Sequence, residues 1–203
     1  MRFALVAVLA LATAPLLAQT PPGPPGTPDA TKVVSGTYQV EPRHTQVLFT
    51  VNHLGFTEYT GQFTNPTGTL VLDAANPGSS KVDITIPIAN VLTTVPQLDE
   101  HLKAPDFFDA AKFPTAKFVS TKVTVTGTTA TIAGNLTLKD VTKPVVLKAR
   151  FIGAGNATMG AKKLNFGFAA TTTINRSDYG INFIIPAVSD KVDLVINAGF
   201  VAP

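Results

Sequence analysis

Three histidines, His44, His53 and His101, are the residues of this chain best suited to acid–base or metal chemistry, because imidazole titrates near neutrality and is a common metal ligand. Their spacing gives no support to a shared site. His44 and His53 form no short ligand pattern, and His101 falls on a predicted helix. Asp99 stands two positions before His101, which turns the two side chains toward different sides of that helix. The favoured reading is structural or mouth-lining histidines. The chain has no cysteine, so disulfides and thiolate metal sites are excluded. No phosphate loop, nucleophile elbow or zinc-binding histidine pair occurs. Gly153-Ala154-Gly155 has the outline of a dinucleotide loop. It lies between two strand-like stretches with no helix after it, so it reads as a hairpin loop.

Arg176 and Asp178 share the loop Asn175-Arg176-Ser177-Asp178-Tyr179-Gly180. They admit two readings: a loop-fixing ion pair or Asx-turn, and a polar rim for a ligand head group. The charge balance is unremarkable, with a formal net charge of +3 and scattered Lys and Arg. No basic block with interleaved aromatics is present, which argues against nucleic acid as a partner.

The elements that must position these residues are strands. Val82, Ile84, Ile86 and Ile88 alternate with Lys81, Asp83, Thr85 and Pro87; Val145, Leu147, Ala149 and Phe151 alternate with a set containing Lys148 and Arg150. Similar alternation over 37–53, 57–72, 115–126, 129–138, 162–174 and 187–201 predicts eight strands, each with one apolar face. Pro42 and Pro66 predict bends in the first two, since proline cannot serve a continuous ladder. Turns are predicted at 76–78, 127–128, 139–140 and 153–156. Thr94-Val95-Pro96-Gln97 reads as a capping box opening one short helix that ends near Pro105. Phe107, Phe108 and Phe113 after it form an aromatic cluster able to plug one end. The predicted fold is all-β: an eight-stranded antiparallel up-and-down barrel with one helix insertion, which leaves no exposed edge.

Ahead of the barrel, Met1-Arg2 and the apolar run Phe3 to Leu11, followed by the small and breaking residues Thr13, Ala14 and Pro15 and a cleavage point after Ala18, read as a secretory signal peptide over 1–18. The run is too short to span a membrane. Residues 19–31 contain Pro21-Pro22-Gly23-Pro24-Pro25-Gly26 and read as a Pro/Gly-rich extended tether. The domain is assigned to 32–203. An exported, soluble product is expected.

The predicted inner faces carry Phe49, Val51, Phe63, Ile84, Ile86, Phe118, Leu136, Leu138, Leu147, Ala149, Phe151, Phe166, Phe168 and Phe183. These are the candidate lining residues. His44, His53, Asp99, His101, Arg176 and Asp178 are the candidate polar mouth. An interior rich in Phe and without Trp suits a dry packed core or an unfunctionalised hydrocarbon tail. Periodicity alone leaves both open.

Several stretches carry a family resemblance. Tyr38-Gln39-Val40-Glu41-Pro42-Arg43-His44-Thr45-Gln46-Val47 with Val51-Asn52-His53-Leu54-Gly55-Phe56 resembles the opening of YceI-like proteins. So do Leu98-Asp99-Glu100-His101-Leu102, Phe107-Phe108-Asp109, Phe113-Pro114-Thr115-Ala116-Lys117-Phe118 and Arg176-Ser177-Asp178-Tyr179-Gly180. Gly134-Asn135-Leu136-Thr137-Leu138-Lys139-Asp140-Val141-Thr142-Lys143-Pro144-Val145 is the most distinctive match, and Val188-Ser189-Asp190 completes the order. The departures are Tyr38 where the family often has Trp, and Thr45 where it often has Ser. The resemblance implies a lipocalin-like barrel in the periplasm that binds a polyisoprenoid or similar long amphiphile. Isoprenoid quinones are candidate ligands, because some members resemble modules associated with membrane b-type cytochromes. It also implies frequent homodimers, exchange of ligand with a membrane without spanning it, and no established catalytic residues or required cofactor. The alternative function is a metal-dependent or other small periplasmic hydrolase using the histidines. The leader reading is checked by N-terminal sequencing of exported protein, which is expected to begin at or near Gln19. Intact Met1 in a membrane fraction would overturn it.

Overall fold

The computed structural model describes residues 23–203; the expected leader and the start of the tether lie outside the described residues. The strands are β1 Gly36–Val40, β2 Gln46–His53, β3 Thr57–Thr64, β4 Thr67–Leu72, β5 Lys81–Pro87, β6 Val91–Leu92, β7 Thr115–Thr126, β8 Thr129–Leu138, β9 Val141–Asn156, β10 Leu164–Asn175 and β11 Lys191–Val201. One α-helix, α1, covers Pro96–Leu102. All the strands join one antiparallel sheet in the order β1-β4-β5-β7-β8-β9-β10-β11-β2-β3-β6, closed by an additional β1–β11 pairing.

The pairing register shows why eleven segments make an eight-stranded barrel. β11 pairs with β2 through Asp193–Asn197 and with β1 through Phe200 and Val201, so β1 and β2 are two halves of one strand bent around Pro42. β3 and β4 pair with β2 and β1 respectively, on either side of the fully buried Pro66. β5 and β6 likewise pair with β4 and β3 and are interrupted by a single 3-10 turn at Ile88–Asn90. The predicted bends are therefore where the prolines deny the ladder a donor.

Two bulges keep the apolar residues facing inward along the long strands. Phe168 pairs with Phe151 and Gly167 with Gly153, which leaves Ile152 without an opposite residue. Ile152 then points out to solvent, while Phe151 and the buried Ala154 both face in. A second bulge at Thr121 does the same for Phe118 and Val123. Without such insertions, strict alternation would carry one half of each strand's apolar set to the surface.

Several sequence expectations are corrected. Gly153–Asn156 is not a hairpin loop; it continues β9, and the turn to β10 is 157–163. The glycines serve close approach instead. Thr27 bridges to Ala154, and a Cβ on Gly155 would stand 2.0 Å from the Pro25 carbonyl oxygen. Part of the expected free tether is thus laid along β9. The Thr94 capping box does not form: Val95 is the N-cap residue and makes no side-chain cap, and Asp99 reaches back to accept from the Thr93 N–H at 2.6 Å. The last strand starts at Lys191, and residues 187–190 belong to the preceding loop.

The connections alternate between two ends. At one end lie residues 23–35, the 73–80 loop, and the turns at 127–128 and 157–163; at the other lie the turn at 54–56, the segment containing α1, the turn at 139–140 and the loop 176–190. The last loop is held from inside. Arg176 is 6% exposed. Its guanidinium donates to four backbone carbonyls, those of Ser189 and Val188 at 2.9 Å, Phe183 at 2.9 Å and Ile181 at 3.1 Å. Burial draws its pKa downward, and Asp190 opposes that shift. Asp190 itself accepts from the Ser177 hydroxyl and N–H, which holds its carboxyl below the usual range. This resolves the loop-fixing reading: Arg176 works through carbonyls and not through an ion pair with exposed Asp178.

Two outcomes follow from this clasp. Arg176→Met strands four carbonyls and is expected to cost about 2–4 kcal/mol, with faster amide exchange confined at first to 177–190; unchanged melting and exchange would overturn the assignment. Because the Asp190 pKa is lowered on folding, its contribution is present above the unfolded carboxylate pKa, about 3.9, and lost as pH falls through the folded value. The melting-temperature gap between wild type and Asp190→Asn should therefore be constant at neutral pH and close below about pH 4. A gap that widens in acid would show the sign to be wrong.

Candidate functional site

The inward faces do not fill the barrel. They leave two apolar cavities, one of about 330 Å³ toward the 73–80 and 127–128 connections and one of about 300 Å³ beneath α1 and the 176–190 loop. Val47, Ile86, Leu136 and Leu194 line both, so the cavities are neighbours on either side of these four side chains. The strands are long enough for such an arrangement. The 16 residues of β9 run about 53 Å, or roughly 40 Å along the axis of a barrel with ordinary strand tilt.

The first cavity is walled by Ile84, Phe118, Leu147, Ala149, Phe151 and Phe168 among the expected lining residues, with Ala149 only 6% exposed. The Phe118 ring occupies space that Gly134, diagonal to it on β8, leaves free; a Cβ there would be 2.4 Å from the ring. The second cavity takes Phe49, Val51, Phe63, Leu138 and Phe183. Phe166 is the exception. It lines neither cavity, but packs edge-on against Tyr38 at 4.6 Å and stacks on Phe200 at 5.7 Å. That aromatic group is a packed part of the interior, whereas the two cavities are open space within it.

The expected polar mouth divides in the same way. His53, His101 and Arg176 line the second cavity. His101 Nε2 lies 2.7 Å from Asp106, and its ring meets Phe107 and Phe183 edge-on. His44 does not belong to the mouth: its exposed ring pairs with Glu41 at the β1–β2 bend. Asp99 is occupied by the Thr93 N–H, and exposed Asp178 lines neither cavity. Hence the three histidines are not brought together. Among the described residues no group of three or more His, Cys, Asp or Glu side chains is placed to hold a metal ion.

Other lining residues escaped sequence reasoning. Tyr59 and Thr93 reach the second cavity from β3 and from the stretch before α1. The Tyr59 hydroxyl lies 3.3 Å from Thr94, and hydrogen bonds with Thr94 and then Thr93 hold its pKa below the ordinary phenol value. Ala30 and Val33 line the first cavity from the segment before β1. Phe107 and Phe108 close the second cavity as expected, but Phe113 sits aside under the Lys112 ammonium at 4.9 Å. Buried Tyr179 packs beneath the loop, where burial raises its pKa to about 12.

The interior thus offers area and almost no fixed charge. Arg176 is the charged side chain on the second cavity, and its donors are taken up by carbonyls. In the first, Asp73 and Arg150 stand at the end of the barrel. Such a site can bind by burying hydrocarbon, with polar choice confined to one end.

Comparison with known proteins agrees with this architecture. A family model described as the YceI-like domain matches residues 38–200. A UPF0312 protein of Pseudomonas fluorescens is 41% identical over 176 residues, covering 83% of this chain and 88% of its own. The solved Campylobacter jejuni YceI protein has a TM-score of 0.63 at 28% identity, covering 75% of this chain and 90% of that one. A polyisoprenoid binding domain from Saccharophagus degradans shares the fold at a TM-score of 0.58 and 13% identity, over 82% of this chain and 98% of its own. With the closed eight-stranded barrel and the family pattern matched from Tyr38 to Phe200, the chain belongs to the YceI-like family.

Proposed function

We propose that this chain is a periplasmic carrier that holds one long-chain amphiphile, a polyisoprenoid or an isoprenoid quinone, lengthwise in the barrel. The observation that carries the reading is the pair of apolar cavities that lie next to each other across Val47, Ile86, Leu136 and Leu194. Their sizes fall in the usual range of small-molecule sites, roughly 300–1,000 Å³. Their end-to-end placement suits a slender chain better than a compact ring system. Each methylene moved from water into such a lining is worth about 0.8 kcal/mol. A chain threading both cavities therefore gains more than a ligand confined to one, even after ordering costs. The Saccharophagus degradans neighbour is described as a polyisoprenoid binding domain, which supports the same ligand class here. The role is binding and transfer, not catalysis, and it requires no cofactor.

Organic extraction and native mass spectrometry of protein made in its own host test this directly, with one long-chain lipid per chain expected. Ala149→Phe sharpens the test, because Ala149 is the smallest of the β9 side chains that border the first cavity. The added ring should fold into open space and exclude or shorten the bound lipid. A dry core would instead be overpacked and lose about 1–3 kcal/mol. Wild-type protein that never carries lipid, together with a marked loss of stability in Ala149→Phe, would overturn the proposal.

A further inference from the structure

Around half the circumference of the α1 end, the chain carries no Asp, Glu, Lys or Arg. The stretches are 51–57, 84–98 and 179–189. They are neighbours in space. The His53–Val188 bridge and the bond from the Leu54 N–H to the Ala187 carbonyl at 2.7 Å join the first to the third. Tyr59, two residues beyond the 51–57 stretch, meets Thr94 of the second. Fixed charges resume at Glu58, Asp99 and Asp190.

This uncharged sector exposes its apolar side chains at loop tips. Phe56 is 84% exposed, and Leu54, Leu92, Val95, Phe183 and Ile184 are also out in solvent. Ile184 is the most telling of them. It is held at φ 52°, a left-handed conformation that a β-branched residue adopts only at a cost. Asparagine or glycine would fit that backbone better. Ile184 is thus a strained, half-exposed isoleucine at the rim, shared between the surface and the second cavity. The opposite end also has uncharged connections and exposes Met159 and Val34, but Asp29, Lys32, Asp73, Lys162 and Lys163 interrupt it, and the exposed aromatics Phe56 and Phe183 both stand at the α1 end. That end is also the outer boundary of the second cavity, which Phe183 and Ile184 line.

From this we propose that the 54–56 tip, the Leu92–Val95 shoulder and the 183–184 tip together dock on the surface of a lipid bilayer. The loops would enter the interfacial region, with the second cavity facing the membrane. The charge pattern selects this occupant. Acyl chains accept Phe, Leu and Ile tips and penalise fixed charges, and this sector supplies the first and lacks the second. The cavity's outer boundary is continuous with the patch, so the inference rests on the lipid-carrier reading for its purpose but not for its test.

The test is flotation of the full mature protein with vesicles of phosphatidylethanolamine and phosphatidylglycerol, and with vesicles of phosphatidylcholine alone. Association is expected with both and should persist in about 0.5 M salt, where screening suppresses surface electrostatics. Phe56→Ser should lower vesicle affinity by about tenfold or more, from loss of one inserted aromatic ring. Its extracted lipid should be unchanged, because Phe56 lines neither cavity. Ile184→Asn should also weaken association while melting at the same or a higher temperature, which excludes misfolding as the cause. Three results would overturn the proposal. One is no flotation of wild type, the second is association only with anionic vesicles and only at low salt, and the third is a wild-type dimer that Phe56→Ser makes monomeric without vesicle binding. Flotation by a protein whose extract contains no lipid would support this surface while refuting the carrier reading.

Discussion

The structure depends on β11 pairing twice along one edge. β10 occupies its other edge from Lys191 to Val201, while β2 and then β1 share the closing edge. If β1 and β2 were one straight strand, it would leave β11 before covering its length, and an open ladder would remain at the seam. The bend at residues 41–45 allows the chain to return to β11. Thr45 anchors it there, since its hydroxyl accepts from the Gly199 N–H at 2.9 Å and donates to the Gly199 carbonyl at 3.3 Å. Closure brings all inward faces around one axis. Because the inward set itself includes small residues such as Ala130, Ala149, Ala170 and Ala198, the side chains do not fill the space enclosed, and cavities remain.

Much of this was legible in the sequence because alternation is a local signal. The inward set from Val145 to Phe151 holds residue by residue, as do the bends at Pro42 and Pro66. The misses share a cause: they concern positions where a distant segment decides the outcome. Gly153 and Gly155 look like turn residues when only their neighbours are considered. Their lack of Cβ is explained by Pro25 and Thr27, more than a hundred residues earlier. The Ile152 bulge is invisible for the same reason, since it is defined by a register against β10. Thr94 has the chemistry of a cap, but its hydroxyl is drawn away to Tyr59, 35 residues earlier, and the helix is left without a side-chain cap.

The candidate site was legible as a composition and not as a geometry. Phenylalanines on inner faces announced an apolar interior, yet nothing local separates Phe168, which borders a cavity, from Phe166, which is packed between Tyr38 and Phe200. The difference arises from what stands across the barrel. The polar residues behave similarly. His53 and His101 are drawn to one cavity by their strand and helix, whereas His44 is turned outward by the β1–β2 bend. The departures from the family pattern at Tyr38 and Thr45 are absorbed locally: the Tyr38 hydroxyl donates to the Val34 carbonyl at 2.7 Å, and Thr45 keeps both bonds to Gly199.

The two ends of the barrel are built with different resistance to opening. At the Gly127-Thr128 end, β7 and β8 are joined by a two-residue turn, and the segment before β1 is bridged to β9. Parting these strands breaks ladder hydrogen bonds in sequence, and each opened pair exposes unpaired backbone groups. At the α1 end, the second cavity is covered by side chains, by the short helix and by a loop tied mainly through Arg176. The aromatic contacts among His101, Phe107 and Phe183 are rotamer contacts, with centroids 5.0–5.6 Å apart. They can separate without disturbing any strand pairing. A long ligand needs an opening only as wide as its own cross-section, and side-chain and loop movements can supply that at far smaller cost than unzipping a sheet. For the proposed carrier, the closed ladder would thus confine exchange to an end where loops and side chains, not strand pairs, cover a cavity, as they do beneath α1 and the 176–190 loop.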